Sequence, residues 1–167
     1  HIYGDVFTIP EAYYGKSGAR IMSLQDASKK MSKSDENPNA SIYLLDAPEV
    51  IMRKFKRAVT DSDTKIIYTE QKPEIKNLLD IYMATTGIGE QEAVASFEGK
   101  GYAKLKEEVG EAVVACLEPI QKRHSDLIKN KDYLDGVIKS NAEKANYYAA
   151  KTLRRVQKKV GFPVRVR

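Results

Sequence analysis

Lys30-Met31-Ser32-Lys33-Ser34 is the stretch on which the reading of this chain turns. Gly15-Lys16-Ser17-Gly18-Ala19-Arg20-Ile21-Met22-Ser23-Leu24 leads into it, and Asp35-Glu36-Asn37-Pro38 follows. Glycines, serines, lysines and a proline in close succession predict a loop, and a mobile one. Two ammonium groups three residues apart, with hydroxyls between them, suit a flexible grip on a polyanion. Lysine carries a point charge with rotatable donors, so it can follow a phosphate that moves during reaction. Serine hydroxyls and free backbone N–H groups add short donors. Lys/Ser-rich runs are commonly plain solvated surface. Here the run follows Ile21-Met22-Ser23-Leu24, a candidate strand end, and loops at strand ends are where α/β folds handle phosphates.

The rest of the composition is compatible with that chemistry. A chain of 167 residues with 42% hydrophobic and 31% charged side chains is long enough for one good-sized domain, or a domain with a short appendage. The net charge is +5, unevenly placed. From Lys151 onward the chain carries Arg154, Arg155, Lys158, Lys159, Arg165 and Arg167 and no acid, which fits an anionic partner. Cys116 is the single cysteine and has no disulfide partner within the chain; its apolar helical setting predicts a buried thiol. No apolar run reaches the roughly 18 residues of a membrane span, and no signal peptide is recognised. A cytoplasmic, reducing setting is the default expectation.

The chain beyond the loop predicts helices. Asp46, Pro48 and Glu49 give a start signal for a helix over residues 46–59, with Val50, Ile51, Phe55 and Val59 inward and Arg53, Lys54, Lys56 and Arg57 outward. Those four cations are either a solvated face or a phosphate contact. Asp61 and Asp63 read as turn and cap residues rather than magnesium ligands. Pro73 starts a second helix and Gly87 ends it, with Ile75, Leu78, Leu79, Tyr82 and Met83 on the core face. A short helix over 90–97 and a long one over 102–129 follow, the latter striped with Leu105, Val109, Val113, Cys116 and Leu117 and interrupted by Gly110 and Pro119. His124 lies at the edge of that stripe as a packed or surface side chain. A short helix over 131–139 and a final one from a Ser140/Glu143 capping box complete the set. Ala142, Ala145, Ala149, Leu153, Val156 and Val160 form the expected inner seam of that last helix. Lys144, Lys151, Arg155 and Lys158 fall on one face of it, the best candidates for phosphate contact, beside a bland reading as solvated surface. Short extended pieces are expected at residues 5–10, 19–24, 42–45 and 66–68. Neither a nucleophile triad nor a metal-ligand spacing is legible.

Residues 30–34 match the KMSKS signature of class I aminoacyl-tRNA synthetases letter for letter. Val6-Phe7-Thr8-Ile9-Pro10-Glu11, Gly18-Ala19-Arg20-Ile21-Met22-Ser23-Leu24, Ala58-Val59-Thr60-Asp61, Asn77-Leu78-Leu79-Asp80-Ile81-Tyr82 and Phe97-Glu98-Gly99-Lys100-Gly101-Tyr102 resemble the bacterial tryptophanyl-tRNA synthetases in particular. The family's HIGH motif and the segment that recognises the indole belong ahead of this sequence, so the resemblance implies the C-terminal half of such an enzyme, inactive alone.

What the resemblance implies is specific. ATP is a substrate, with Mg²⁺ held through its phosphates and no protein metal site. Lys30 and Lys33 meet the charge that builds on departing pyrophosphate; Met31, Ser32 and Ser34 line the same phosphates, and Ile21 lies against the adenine. Tryptophan and tRNA(Trp) are the other partners, and the family is homodimeric. The expected fold is mainly α: residues 1–40 as a short α/β remnant of a Rossmann-type catalytic domain with the signature loop, then residues 41–167 as a helical anticodon-binding bundle. The tyrosyl enzymes share the signature and are the near alternative. A non-catalytic RNA-binding helical module that retains the loop is the alternative from another class.

Overall fold

The computed structural model describes residues 2–14 and 18–162. Five helices carry it: α1 (Pro48–Lys56), α2 (Pro73–Thr86), α3 (Glu90–Ser96), α4 (Tyr102–Ile128) and α5 (Lys131–Val160). The mainly α expectation holds. Among the described residues there is no strand; a single antiparallel bridge, Met22 with Lys30, stands where an α/β remnant was expected. Residues 5–10, 42–45 and 66–68 form no ladder either. A strand needs a neighbour along its length, and the hydrogen bonds of residues 21–24 go instead to loop backbone and to a side chain.

The chain forms two compact units, one of Tyr14–Arg123 and one of His1–Tyr13 with His124–Arg167. Compactness thus groups residues across position 40, where the sequence suggests a division between functional parts. The first unit holds the core. Ile51 and Phe55 of α1, Ile75, Leu78 and Leu79 of α2, Phe97, and Leu105, Val109 and Val113 of α4 are buried together with Leu24 from the segment ahead of the signature loop. Each side chain of this size contributes about 1.5–3 kcal/mol when fully buried. Tyr82 and Phe97 meet edge to face at 5.0 Å.

Several helix limits are chemical. Pro73 occupies the first turn of α2, where its missing N–H costs nothing, and Gly87 closes it in the left-handed region at φ 78°. Asp46 does not cap α1: Ala47 does so without a side-chain bond, and the helix stops at Lys56 rather than Val59. Val59 is exposed. Gly110, a blemish in the sequence of α4, has a packing reason. A Cβ there would lie 2.8 Å from Met52 Sδ and 3.5 Å from Phe55 Cδ2, so the glycine makes room for these side chains of α1 against α4. Cys116 is exposed, not buried, because the buried stripe of α4 runs through Val113 and Leu117. His124 is exposed.

In the second unit α5 runs unbroken through the two helices expected there. No proline or left-handed glycine interrupts it, so the Ser140/Glu143 pattern lies inside a continuous helix. Asn130 is its cap, the side chain accepting from the Tyr133 N–H at 3.2 Å, and Gly161 closes it at φ 80°. None of its residues is buried; of the expected inner seam, Ala142, Ala145, Ala149 and Leu153 are exposed, and Val156 and Val160 half-buried. Lys159 donates to the Asp5 carbonyl at 3.3 Å within this unit.

Candidate functional site

The signature loop is built on residues 21–24. Ser23 N–H donates to the Lys29 carbonyl at 2.8 Å and Met31 N–H to the Ile21 carbonyl at 3.0 Å, so residues 21–31 fold back as a hairpin. Asp26 pins its turn: the carboxylate accepts from Ser28 N–H and hydroxyl at 3.1 and 2.6 Å and pairs with Lys29 at 3.0 Å. Those hydrogen bonds from Ser28 first, then the Lys29 pair, hold the Asp26 carboxyl at about 2. Leu24 N–H donates to the Ala40 carbonyl at 3.0 Å, and Val59 N–H to the Leu24 carbonyl at 2.8 Å. The loop of residues 32–39 is therefore closed at both ends upon one buried segment.

Asn77 of α2 secures that segment. It is buried, its carbonyl oxygen accepts from Met22 N–H at 2.8 Å, and its amide donates to the Met22 carbonyl at 2.9 Å. One side chain thus satisfies both backbone groups of a residue, as a neighbouring strand would. The sequence offers one clue: Asn77 lies four residues from buried Ile81, on a core-facing register of α2.

Within the loop, turns are held by side chains. Ser34 N–H donates to Ser32 Oγ at 3.2 Å, Asn37 N–H to Asp35 Oδ1 and Asn39 N–H to Asn37 Oδ1, both at 2.9 Å. The backbone is also tied to the segment that leads into α1. Ser41 hydroxyl donates to the Ser32 carbonyl at 2.6 Å, and Tyr43 hydroxyl to the Lys33 carbonyl at 3.4 Å. Lys54 of α1 completes the anchor. Its ammonium is buried, 2.6 Å from Asp46 Oδ2, 2.8 Å from the Ser41 carbonyl, and 4.5 Å from the Tyr43 ring centroid. Sequence reasoning left Lys54 with Arg53, Lys56 and Arg57 as either a solvated face or a phosphate contact; nothing in its spacing separates it from Arg53 or Lys56.

The site residues expected from sequence divide by environment. Lys30, Ser32, Lys33 and Ser34 are exposed, while Ile21 and Met31 are half-buried against the core. Neither Lys30 nor Lys33 enters an ion pair among the described residues, whereas Lys29 beside them does. A pinned backbone carrying two unpaired ammonium groups can meet an incoming polyphosphate without first breaking internal bonds. Lys144, Lys151, Arg155 and Lys158 are all exposed on α5, whose Tyr147 and Tyr148 rings meet at 5.4 Å. Asp61 and Asp63 serve a structural cluster: Lys72 lies 3.6 and 2.7 Å from their carboxylates, and Tyr102 hydroxyl donates to Asp61 at 2.7 Å. Among the described residues no three His, Cys, Asp or Glu side chains gather as a metal site, and no helix is long and apolar enough to cross a membrane.

A family model described as "tRNA synthetases class I (W and Y)" matches residues 2–118, which include the hairpin, the loop and the helical core. The chain belongs to this family. Its relatives are tryptophan–tRNA ligases. That of Clostridium perfringens is 51% identical over 160 residues, which cover 96% of this chain and 48% of the relative. That of Wolinella succinogenes is 45% identical over 160 residues, covering 96% and 49%. The crystal structure of tryptophanyl-tRNA synthetase from Mycoplasma pneumoniae superposes with a TM-score of 0.80 at 31% identity, covering 89% of this chain and 45% of that one. The chain spans about half the length of the relatives it matches.

Proposed function

We propose that the chain is the signature-loop half of a tryptophan–tRNA ligase. The observation that carries this reading is the pair of unpaired ammonium groups, Lys30 and Lys33, on a backbone anchored at both ends, in a chain whose relatives bear that name. In this reading the tryptophan carboxylate attacks the α-phosphorus of ATP, pyrophosphate departs and leaves an aminoacyl-adenylate, and the aminoacyl group then passes to a tRNA hydroxyl as AMP departs. Lys30 and Lys33 neutralise the charge gathering on pyrophosphate. A donor aimed at such charge is worth about 3–4 kcal/mol, a factor of about 100–1,000 in rate. Ser32 and Ser34 hydroxyls and Met31 line the phosphates, Ile21 touches the adenine, and Mg²⁺ arrives on the ATP phosphates. Residues 1–40 are the nucleotide-handling part, at the edge of a Rossmann-type sheet, and residues 41–167 the anticodon-binding part. On α5, Lys144, Lys151, Arg155 and Lys158 face the tRNA phosphates. The assembled enzyme is a cytoplasmic homodimer.

The test is a chimaera in which this chain follows the preceding half of the Clostridium perfringens relative. Tryptophan-dependent ATP–pyrophosphate exchange is expected from the chimaera and none from this chain by itself. Lys33→Ala in the chimaera lowers turnover by about 100-fold or more while the KM for tryptophan stays near its starting value. A raised KM for ATP with turnover unchanged would mean that Lys33 serves ground-state binding and not the transition state. Exchange by the isolated chain at the chimaera's rate would remove the fragment reading.

A further inference from the structure

A second basic surface lies on the helices behind the loop. Met52, Arg53 and Lys56 of α1 and Ala103, Lys104, Lys106 and Glu107 of α4 line a cavity of about 930 Å³. Gly110 of α4 leaves the space that the Met52 side chain fills here. Four cations and one carboxylate therefore share one concavity over an apolar floor. Glu107 is already committed to Lys104 at 2.7 Å, and Glu108 stands 3.9 Å from the same ammonium. Arg53, Lys56 and Lys106 have no ion pair among the described residues. Lys106 is half-buried, and burial pulls its pKa down: its charge lacks solvent and lacks a counter-ion.

The surface continues past α1. Arg53 also lines an adjoining cavity of about 600 Å³, with Arg57, with the Lys54–Asp46 pair, and with Pro38 and Asn39 from the tail of the signature loop. The fold had an alternative for cations in this region: Lys54, on the same helix, is turned inward onto Asp46. Its neighbours are not. Like charges held together in this way repel one another unless an anion joins them. The cations are divided between two adjoining cavities that share Arg53, so the matching anion is an extended one that carries charge at intervals.

We propose that the α1–α4 cavity and its continuation toward Pro38 and Asn39 contact the phosphate backbone of an RNA strand, through Arg53, Lys56, Lys106 and Arg57. This rests on the reading of the chain as part of a tRNA ligase, and it adds a surface separate from the α5 face. Arginine meets phosphate with a planar fork and lysine as a point charge, and neither contact requires a particular base. The apolar floor of Met52 and Ala103 holds the lysine stems while their heads reach the strand.

The experiment is the salt dependence of tRNA binding by this chain, between about 50 and 200 mM salt, since each phosphate contact adds about 0.7–0.9 to the log–log slope. The triple variant Arg53→Ala, Lys56→Ala, Lys106→Ala is expected to lower the slope by about 2–3, with a correspondingly weaker complex. The pair Arg53→Gln, Lys56→Gln alters only exposed side chains, keeps the fold, and is expected to lower it by about 1–2. An unchanged slope in both α1–α4 variants, with tRNA bound by the parent chain, overturns this surface and leaves the ligase reading standing. Absence of tRNA binding by the parent chain at the lowest salt also overturns this surface, while pyrophosphate exchange by the chimaera decides the ligase reading separately. Displacement of tRNA by polyglutamate or tripolyphosphate at equal total charge as readily as by unlabelled tRNA overturns the RNA assignment.

Discussion

Replacing Lys54 by methionine removes an ammonium that three loop groups share and leaves the length of the side chain intact. Lys54 and Asp46 are nearly enclosed, with side-chain exposures of 6% and 15%. In the variant Asp46 keeps only the Tyr43 N–H, at 3.0 Å, and the Ser41 carbonyl loses its donor. Breaking a buried pair by deleting one partner costs about 3–5 kcal/mol, and the residual exposure of Asp46 puts this case at the low end, about 3 kcal/mol. With a urea m-value of about 1–3 kcal/mol/M, the unfolding midpoint falls by about 1–3 M. Circular dichroism at the helical band against urea measures it. Adding Asp46→Asn removes the stranded carboxylate while keeping an acceptor for Tyr43, so part of the loss returns. A single variant within about 0.5 kcal/mol of the parent, the range of ordinary surface changes, together with no gain in the double variant, would refute the anchor.

Asn77→Leu strands both backbone groups of Met22 and is expected to destabilise by about 1–3 kcal/mol per group left unpaired; urea unfolding reads the loss, and faster proteolysis within residues 21–40 reports the loosened loop. Stability is expected to have a plateau bounded by the Lys72 cluster. The Lys72 hydrogen bond first, then Thr64 N–H, holds Asp63 at about 2, below its usual 3.8, so its contribution is complete above that usual value and disappears as pH falls toward 2. Asp63 likewise leads in raising Lys72 above its usual 10.5, so that contribution is complete below 10.5 and disappears as pH rises beyond it. Melting temperatures followed across pH should decline at both ends, and less so in Lys72→Met. Cys116 is expected to react with a thiol reagent in the native chain as fast as in urea; protection in the native chain would contradict its exposure.

The elements legible in the sequence are those whose limits and faces are written locally. Pro73 and Gly87 bracket α2, and the Leu105–Val109–Val113–Leu117 stripe defines α4. Where the outcome depends on a distant partner, local reading fails. Lys54 differs from Arg53 and Lys56 only in what α1 meets on that side, namely Asp46 and the Ser41 carbonyl. The capping pattern at Ser140 is real chemistry, but it loses to continuation of a helix with no breaker in it. Cys116 and the alanine seam of α5 were placed by apolar company alone, and apolar company also occurs on exposed faces. For the site the asymmetry is the same. The lysines and serines that reach outward are readable from five letters, while the bonds that hold their backbone come from residues 41, 43, 46, 54 and 77.

Helix α5 has thirty residues and not one buried side chain. Its persistence depends mostly on its own backbone bonds and on the Asn130 and Gly161 closures, with half-buried Val156 and Val160 and the Lys159 bond to Asp5 near its end. Its amide protons trade with deuterium through fraying that disturbs no interior, whereas those of Leu78 and Leu79 wait for the core to come apart. The same openness that offers basic residues to a partner leaves the lysines and arginines of this helix in reach of trypsin whenever it frays.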